Sequence, residues 1–233
     1  MSDGSDSLAL GSLALALVGG ALRVSTPFLF VSLGECITEK SGRINLGLEG
    51  ILVLGAMSGY GVSLLTGSAW LGVLAAGGCG LLMGLLHGVL CSLAKVNDIA
   101  VGIALMLFGT GLAFFLGKPL IQPQAPMLPS LDLGAWSDSA QLQSALRINV
   151  LLPLGLLLAV LLHWGLRASR WGLALRLVGD NAAAARALGY PVVPIRIGAT
   201  AAGGFLAGVG GAFLSLYYPG SWNEGLSSGQ GLM

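Results

Sequence analysis

The residues able to do chemistry in this chain sit where apolar sequence surrounds them. Glu35, Asn45 and Glu49 lie inside or at the margin of apolar runs, within Gly34-Glu-Cys-Ile-Thr-Glu-Lys-Ser-Gly-Arg-Ile-Asn-Leu-Gly-Leu-Glu-Gly50. A carboxylate at membrane depth costs roughly 2.5–3.5 kcal/mol on insertion scales, so such a group should face a cavity or a partner. Gly42, Gly47 and Gly50 suit a broken helix whose released backbone groups face the same cavity. Asn45, Gly47, Glu49 and Gly50, with Glu35, are therefore expected to line a path or to brace one helix against another. The intervening Glu39, Lys40 and Arg43 read as an ordinary solvated turn. A second polar stretch, Ala94-Lys-Val-Asn-Asp-Ile-Ala-Val-Gly102, brings Asn97 and Asp98 to the start of another apolar run. Either residue serves there as a helix cap or adds to the same path.

Other chemistries find little support. Gly225-Leu-Ser-Ser-Gly229 fits the hydrolase elbow pattern with Ser227 as nucleophile, but that motif needs a strand before it and a helix after it. No strand is expected there, and His87 and His163 belong to apolar runs. Cys36, Cys79 and Cys91 lack metal-type spacing and read as small core residues. The chain has no Gly-x-x-x-x-Gly-Lys-Ser/Thr segment, so it does not hydrolyse ATP by that route. No metal or cofactor is expected in this chain.

The elements that must position these groups are membrane helices. Of 233 residues 55% are hydrophobic and only 9% are charged, against roughly 25% charged in soluble domains. A bilayer crossing takes about 20 apolar residues. Candidate spans cover residues 8–22, 24–37, 44–65, 69–93, 99–117, 148–164 and 197–217, seven in all. The first two are short, and Pro27 interrupts the pair. We therefore expect an all-α, polytopic transmembrane bundle in a single domain. The net charge of +1 points to no nucleic-acid partner.

Arginine placement sets the orientation. The connection 165–196 carries Arg167, Arg170, Arg176, Arg186 and Arg196 against one acid, Asp180, and is expected in the cytoplasm. The connection 118–147 balances two cations with Asp132 and Asp138 and is expected outside. Counting back along seven spans places the N-terminus in the cytoplasm and residues 218–233 outside, ending in the start of a further helix. With Asp3 and Asp6 in its polar leader, the N-terminus reads as an uncleaved first span.

Inside the cytoplasmic connection lies Gly179-Asp-Asn-Ala-Ala-Ala-Ala-Arg-Ala-Leu-Gly-Tyr-Pro191. Asp180 or Asn181 is a good N-cap, the alanines favour helix, and Gly189 supplies a left-handed end. Two turns of helix do not persist alone in water, so this one should dock on something. Glycines four apart, at 55/59, 80/84/88 and 204/208, predict tightly packed helices.

Glu39-Lys-Ser-Gly-Arg-Ile-Asn-Leu-Gly-Leu-Glu-Gly50 resembles the signature of bacterial ABC-transporter permeases of the branched-chain amino acid/ribose-type family, in its nucleoside/simple-sugar branch. Val96-Asn-Asp-Ile-Ala-Val-Gly102 and the 179–189 segment resemble two further segments of that family, in the same order. The resemblance implies an importer with two permease subunits, the same or related, two ATP-binding subunits and an extracytoplasmic solute-binding lipoprotein, in the bacterial inner membrane. ATP would be bound by the partner subunit. Gly179, Asp180, Asn181, Ala184, Ala185, Arg186 and Gly189 would form the coupling element, seated in a groove of the ATPase. Glu35, Asn45, Gly47, Glu49, Gly50, Asn97 and Asp98 would belong to the solute path or its gate. The family continues with further spans, so the chain is expected to be truncated after Met233. The alternative from residues alone is an ion-coupled transporter or channel that uses Glu35, Glu49 or Asp98 as cation sites.

Overall fold

A computed structural model describes residues 3–132, 143, 147–223, 225–227 and 229–232. Its helices are α1 (Asp3–Lys40), α2 (Leu48–Thr66), α3 (Ala69–Leu90), α4 (Asp98–Gly117), α5 (Leu151–Ala168), α6 (Arg170–Asp180), α7 (Ala182–Ala187) and α8 (Val192–Leu216). Among the described residues, six helices are long and apolar enough to cross a membrane, the first over Leu17–Lys40. The all-α bundle also carries a small antiparallel ribbon, β1 (Ser130–Asp132) with β2 (Arg147–Asn149), in register Ser130↔Asn149 and Asp132↔Arg147. Hydropathy gives no sign of strands this short.

One correction concerns the first two spans. Residues 8–22 and 24–37 form a single helix, α1, so the chain up to residue 117 makes four crossings and not five. Proline inside a helix removes one N–H and crowds the carbonyl four residues earlier. Within a bundle, neighbouring helices and hydroxyl side chains take up the released groups. Pro27 frees the carbonyl of Arg23, next to the Leu22 carbonyl to which Ser25 Oγ donates at 2.9 Å. Pro27 therefore interrupts the sequence pattern without interrupting the helix. Because α1 crosses once, its N-terminal end and Lys40 lie at opposite ends of the bundle.

Helix α8 occupies the centre, with α1, α2 and α3 packed along it. Small residues permit the approach. A Cβ on Gly80 of α3 would land on the Gly204 carbonyl of α8, and a Cβ on Gly204 would land on the Gly80 carbonyl. The same two helices meet again at Gly84 with Thr200 and at Gly88 with Ile197. Helix α5 stands at the periphery, with Leu156, Leu157, Val160 and Trp164 exposed, as suits a surface that faces lipid.

At one end of the bundle, the Tyr60 hydroxyl donates to the Pro123 carbonyl at 2.7 Å and the Ser63 hydroxyl to that of Pro126 at 2.9 Å. These bonds tie the 121–129 connection to α2. Trp222 is buried beside Gly117 at the same end. The chain after Tyr217, expected to stay outside, turns back into the bundle from there. The opposite end gathers Lys40, Arg43, Asp98 and the α6–α7 pair.

Replacing Gly204 by leucine should overpack the α3–α8 contact and destabilise the bundle by about 1–3 kcal/mol or more. Gly111→Leu, where nothing lies within 4 Å of the added Cβ, should change stability little. Thermal unfolding in detergent checks the pair, and equal melting temperatures for the two variants would refute the packing.

Candidate translocation cavity and coupling end

Helix α1 ends in a tight turn in which Ser41 and Arg43 donate their backbone N–H groups to the Thr38 carbonyl, and Gly42 donates to that of Glu39. Gly42 takes φ +79°, a conformation that favours glycine. Arg43 corrects the expectation of a solvated turn. Its side chain is 12% exposed and its Nη1 lies 2.6 Å from Asp98 Oδ1, which ties the turn to the start of α4. Asn97 caps that helix, with Oδ1 accepting from Ile99 N at 2.8 Å and from Ala100 N at 3.4 Å. Of the two residues proposed there, Asn97 is the cap and Asp98 the partner of Arg43.

Beyond Arg43 the chain runs unwound into the bundle until α2 begins. The Asn45 backbone N–H donates to Glu35 Oε1 at 2.9 Å, while Asn45 Oδ1 accepts from the Gly47 N–H at 2.9 Å. Asn45 is almost wholly buried. The stretch lies flat on α4, where a Cβ on Gly102 would collide with Leu46 and Gly47 nitrogens. Gly50 continues the contact, its Cα facing the backbone of Met106 midway along α4. Helix α2 thus starts well inside the bundle.

This unwound segment, the facing side of α1 and residues 230–231 line an open cavity of about 620 Å³. Phe28, Ser32, Glu35, Asn45, Leu48 and Gln230 are among its lining residues. Glu35 Oε2, Asn45 Nδ2 and Gln230 Oε1 are buried there without a hydrogen-bond partner among the described residues. The walls are mainly apolar, with a few convergent polar groups, as in sites for small organic solutes.

Glu49 is placed differently. It lies in the first turn of α2, 8% exposed, and both its oxygens are taken by the returning C-terminal segment. Oε1 accepts from Ser227 Oγ at 2.5 Å and from the Gly229 N–H at 3.2 Å, and Oε2 accepts from the Gly231 N–H at 2.5 Å. Charge-assisted bonds of this kind are about twice as strong as neutral ones, and the helix N-terminus favours the anion further. Glu35 lines the cavity, whereas Glu49 clamps the segment that closes it. Sequence reading set Ser227 aside as a false nucleophile. Its meaning is a hydroxyl donor in a glycine-rich turn, and no spacing rule connects it to Glu49.

At the coupling end, Asn181 and not Asp180 caps α7, with Oδ1 3.0 Å from both Ala183 N and Ala184 N. Gly189 closes the helix at φ +85°. Ala185 turns inward and packs with Val178 and Val192, while Ala184, Arg186, Leu188 and Gly189 stay exposed, Leu188 at 68%. Gly179 lies against the Lys40 carbonyl, and Asp180 is exposed. Arg196, given no role beyond charge in the sequence, joins these parts. Its Nε donates to the Ser41 carbonyl at 3.0 Å and its Nη2 to that of Val178 at 3.3 Å. The end of α6, on which α7 packs, is thereby bonded to the turn that feeds the unwound segment.

Three relatives resemble the chain over nearly its whole length. It is 33% identical over 225 residues to a putative glucose ABC transporter permease protein of Haloferax volcanii, covering 94% of this chain and 68% of the relative. It is 31% identical to a nucleoside ABC transporter permease protein of Lactococcus lactis and 25% identical to a guanosine ABC transporter permease protein of Bacillus subtilis, in each case over 93% of this chain and 72% of the relative. No solved structure matches it. The family described as the permease component of the branched-chain amino acid transport system matches residues 17–233. With an unwound connection running into the bundle, a lined cavity and six apolar helices, this multi-pass membrane protein belongs to that family of transporter permeases.

Proposed function

We propose that the chain is the membrane-spanning subunit of an ATP-binding-cassette importer for a nucleoside or a simple sugar, with nucleotide bound by a separate subunit. The observation that carries this is the tie between α7 and the cavity. A short helix, capped at both ends, presents Ala184, Arg186 and Leu188 outward. Its Ala185 packs on Val178 of α6 and Val192 of α8, and Arg196 bonds the Val178 carbonyl to the turn that leads to Asn45 and Glu35. A helix of six residues is too short to persist by itself, so its rigid mounting suits a partner that grips and moves it.

The end that carries Lys40, Arg43, Lys95 and the arginines of 165–196 faces the cytoplasm in this reading. With α1 crossing once, the N-terminal end of the chain then lies outside, the reverse of the seven-span count. The 620 Å³ cavity is the solute path, used together with a second permease subunit and supplied by an extracytoplasmic binding protein. Glu35 and Asn45 meet the solute. Glu49, Asn97 and Asp98 hold the walls. Ala184, Arg186, Leu188 and Gly189 meet the ATPase, and Gly179, Asn181 and Ala185 brace them from behind.

Co-purification with a co-expressed ATP-binding subunit tests the coupling surface. Ala184→Asp combined with Arg186→Glu should abolish recovery of the ATPase while the permease still inserts, and an unchanged yield would sink the assignment. Orientation is checked with a cysteine at residue 187 in a chain free of its native cysteines. Membrane-impermeant maleimide should tag it in inverted vesicles and leave it untouched in intact cells. For the two carboxylates, Glu49→Ala should destabilise the bundle by about 1–3 kcal/mol, since buried donors lose their acceptor, and open residues 218–232 to protease. Glu35→Gln should keep that segment protected yet cut solute uptake at least about tenfold, the loss of one charged hydrogen bond. The division of roles fails if the two variants behave alike.

A further inference from the structure

A second cavity, of about 380 Å³, opens between α1, α5 and α6 at the same end of the bundle as the coupling helix. Its rim carries Lys40, His163, Arg167 and Arg176, and no aspartate or glutamate lines it. Its floor is apolar, with Leu33, Ala159 and Leu162. Among the described residues, Lys40 and Arg167 have no salt bridge, and Arg176 donates only its Nε, to the Gly172 carbonyl at 3.4 Å. Cations from three separate helices thus converge on one space without an internal counter-ion.

The depth of these groups is informative. Lys40 is the last residue of α1, and Arg167 is next to last in α5. The floor residues lie one to two turns further into the spans. Trp164 and Trp171 flank this end, 68% and 48% exposed, as aromatic residues do at a membrane–water boundary. Helix α6 buries Gly172, Leu175 and Val178 and leaves Arg170, Trp171 and Leu173 exposed, the pattern of a helix lying in that boundary. A charged rim at headgroup level above an apolar floor at acyl level matches one chemistry.

We infer that this cavity binds an anionic phospholipid, its phosphate held by Lys40, Arg167 and Arg176 and the start of an acyl chain lying on Leu33 and Leu162. Basic pockets between spans hold anionic headgroups in this way. A free phosphate ion shares the rim chemistry but has no use for the floor. The site shares only Cys36 with the lining of the first cavity, and the inference does not depend on which solute is carried.

Native mass spectrometry of the full chain in nonionic detergent tests it, with phosphatidylglycerol and phosphatidylcholine of identical acyl chains as probes. Phosphatidylglycerol should be retained at least about tenfold better, from roughly fivefold per engaged cation. The triple variant Lys40→Gln, Arg167→Gln, Arg176→Gln should lower it to the phosphatidylcholine level. Ala159→Trp, which fills the floor at constant charge, should lower it as well. Arg170→Gln, off the rim, should retain the wild-type preference. Retention of phosphatidylglycerol by the triple variant at the wild-type level overturns the proposal. So does its displacement by millimolar inorganic phosphate, which would assign the rim to a soluble anion. If the triple variant does not fold, Arg167→Gln alone, at an exposed position, decides, with a threefold or greater loss expected and no loss overturning the site.

Discussion

Between Ser41 and Gly47 the chain leaves helix and runs into the bundle, so that Ser41, Asn45 and Gly47 are buried where water cannot take up the groups that a helix would have paired. Every polar atom released there must find a partner in the protein or open onto a cavity. The fold meets that demand with particular residues. Glu35 receives the Asn45 N–H, Asn45 receives that of Gly47, and Arg43 reaches Asp98. Of the atoms that remain unpaired, those on Glu35, Asn45 and Gln230 belong to residues lining one cavity, while Arg43 Nε lies outside it. The unwound connection and the polar groups beside the cavity share one physical origin.

Holding such an interruption in place requires a rigid frame. Helix α8 provides it by meeting α3 backbone to backbone at Gly80 and Gly204, a contact without flexible side chains to absorb displacement. Close-packed helices of this kind shift as bodies more readily than they deform. A push on α7 therefore does not dissipate locally. It reaches α6 and α8 through the Ala185, Val178 and Val192 contact, and the Ser41 turn through Arg196. That turn is the mouth of the unwound segment, so α7 is linked through packed and bonded groups to the wall of the 620 Å³ cavity.

Much of this was legible before any coordinates. The apolar runs from residue 44 onward, the arginine-rich connection and the capped alanine helix all follow from local chemistry, and each has a counterpart in the structure. Misreadings arose where a neighbour decides the outcome. Pro27 carries a strong local signal for a break, yet packed helices around it keep α1 whole. Arg43 has the composition of a solvated turn, yet Asp98, distant in sequence, draws it inward. The short ribbon of β1 and β2 has no hydrophobic periodicity to announce it.

Taken alone, the sequence determined what depends on near neighbours and on total hydrophobicity. It specified a helical membrane bundle, the end at which positive charge gathers, the residue pairs from which the caps of α4 and α7 are drawn, and polar residues too costly to leave facing lipid. Tertiary structure decided which of those polar residues face a cavity and which are clamped. Glu35 and Glu49 are alike in type and in their apolar surroundings. Glu49 alone meets Ser227, a partner 178 positions away. A contact over that distance is set by how α2 and the returning chain pack around α8, and no window of sequence contains it.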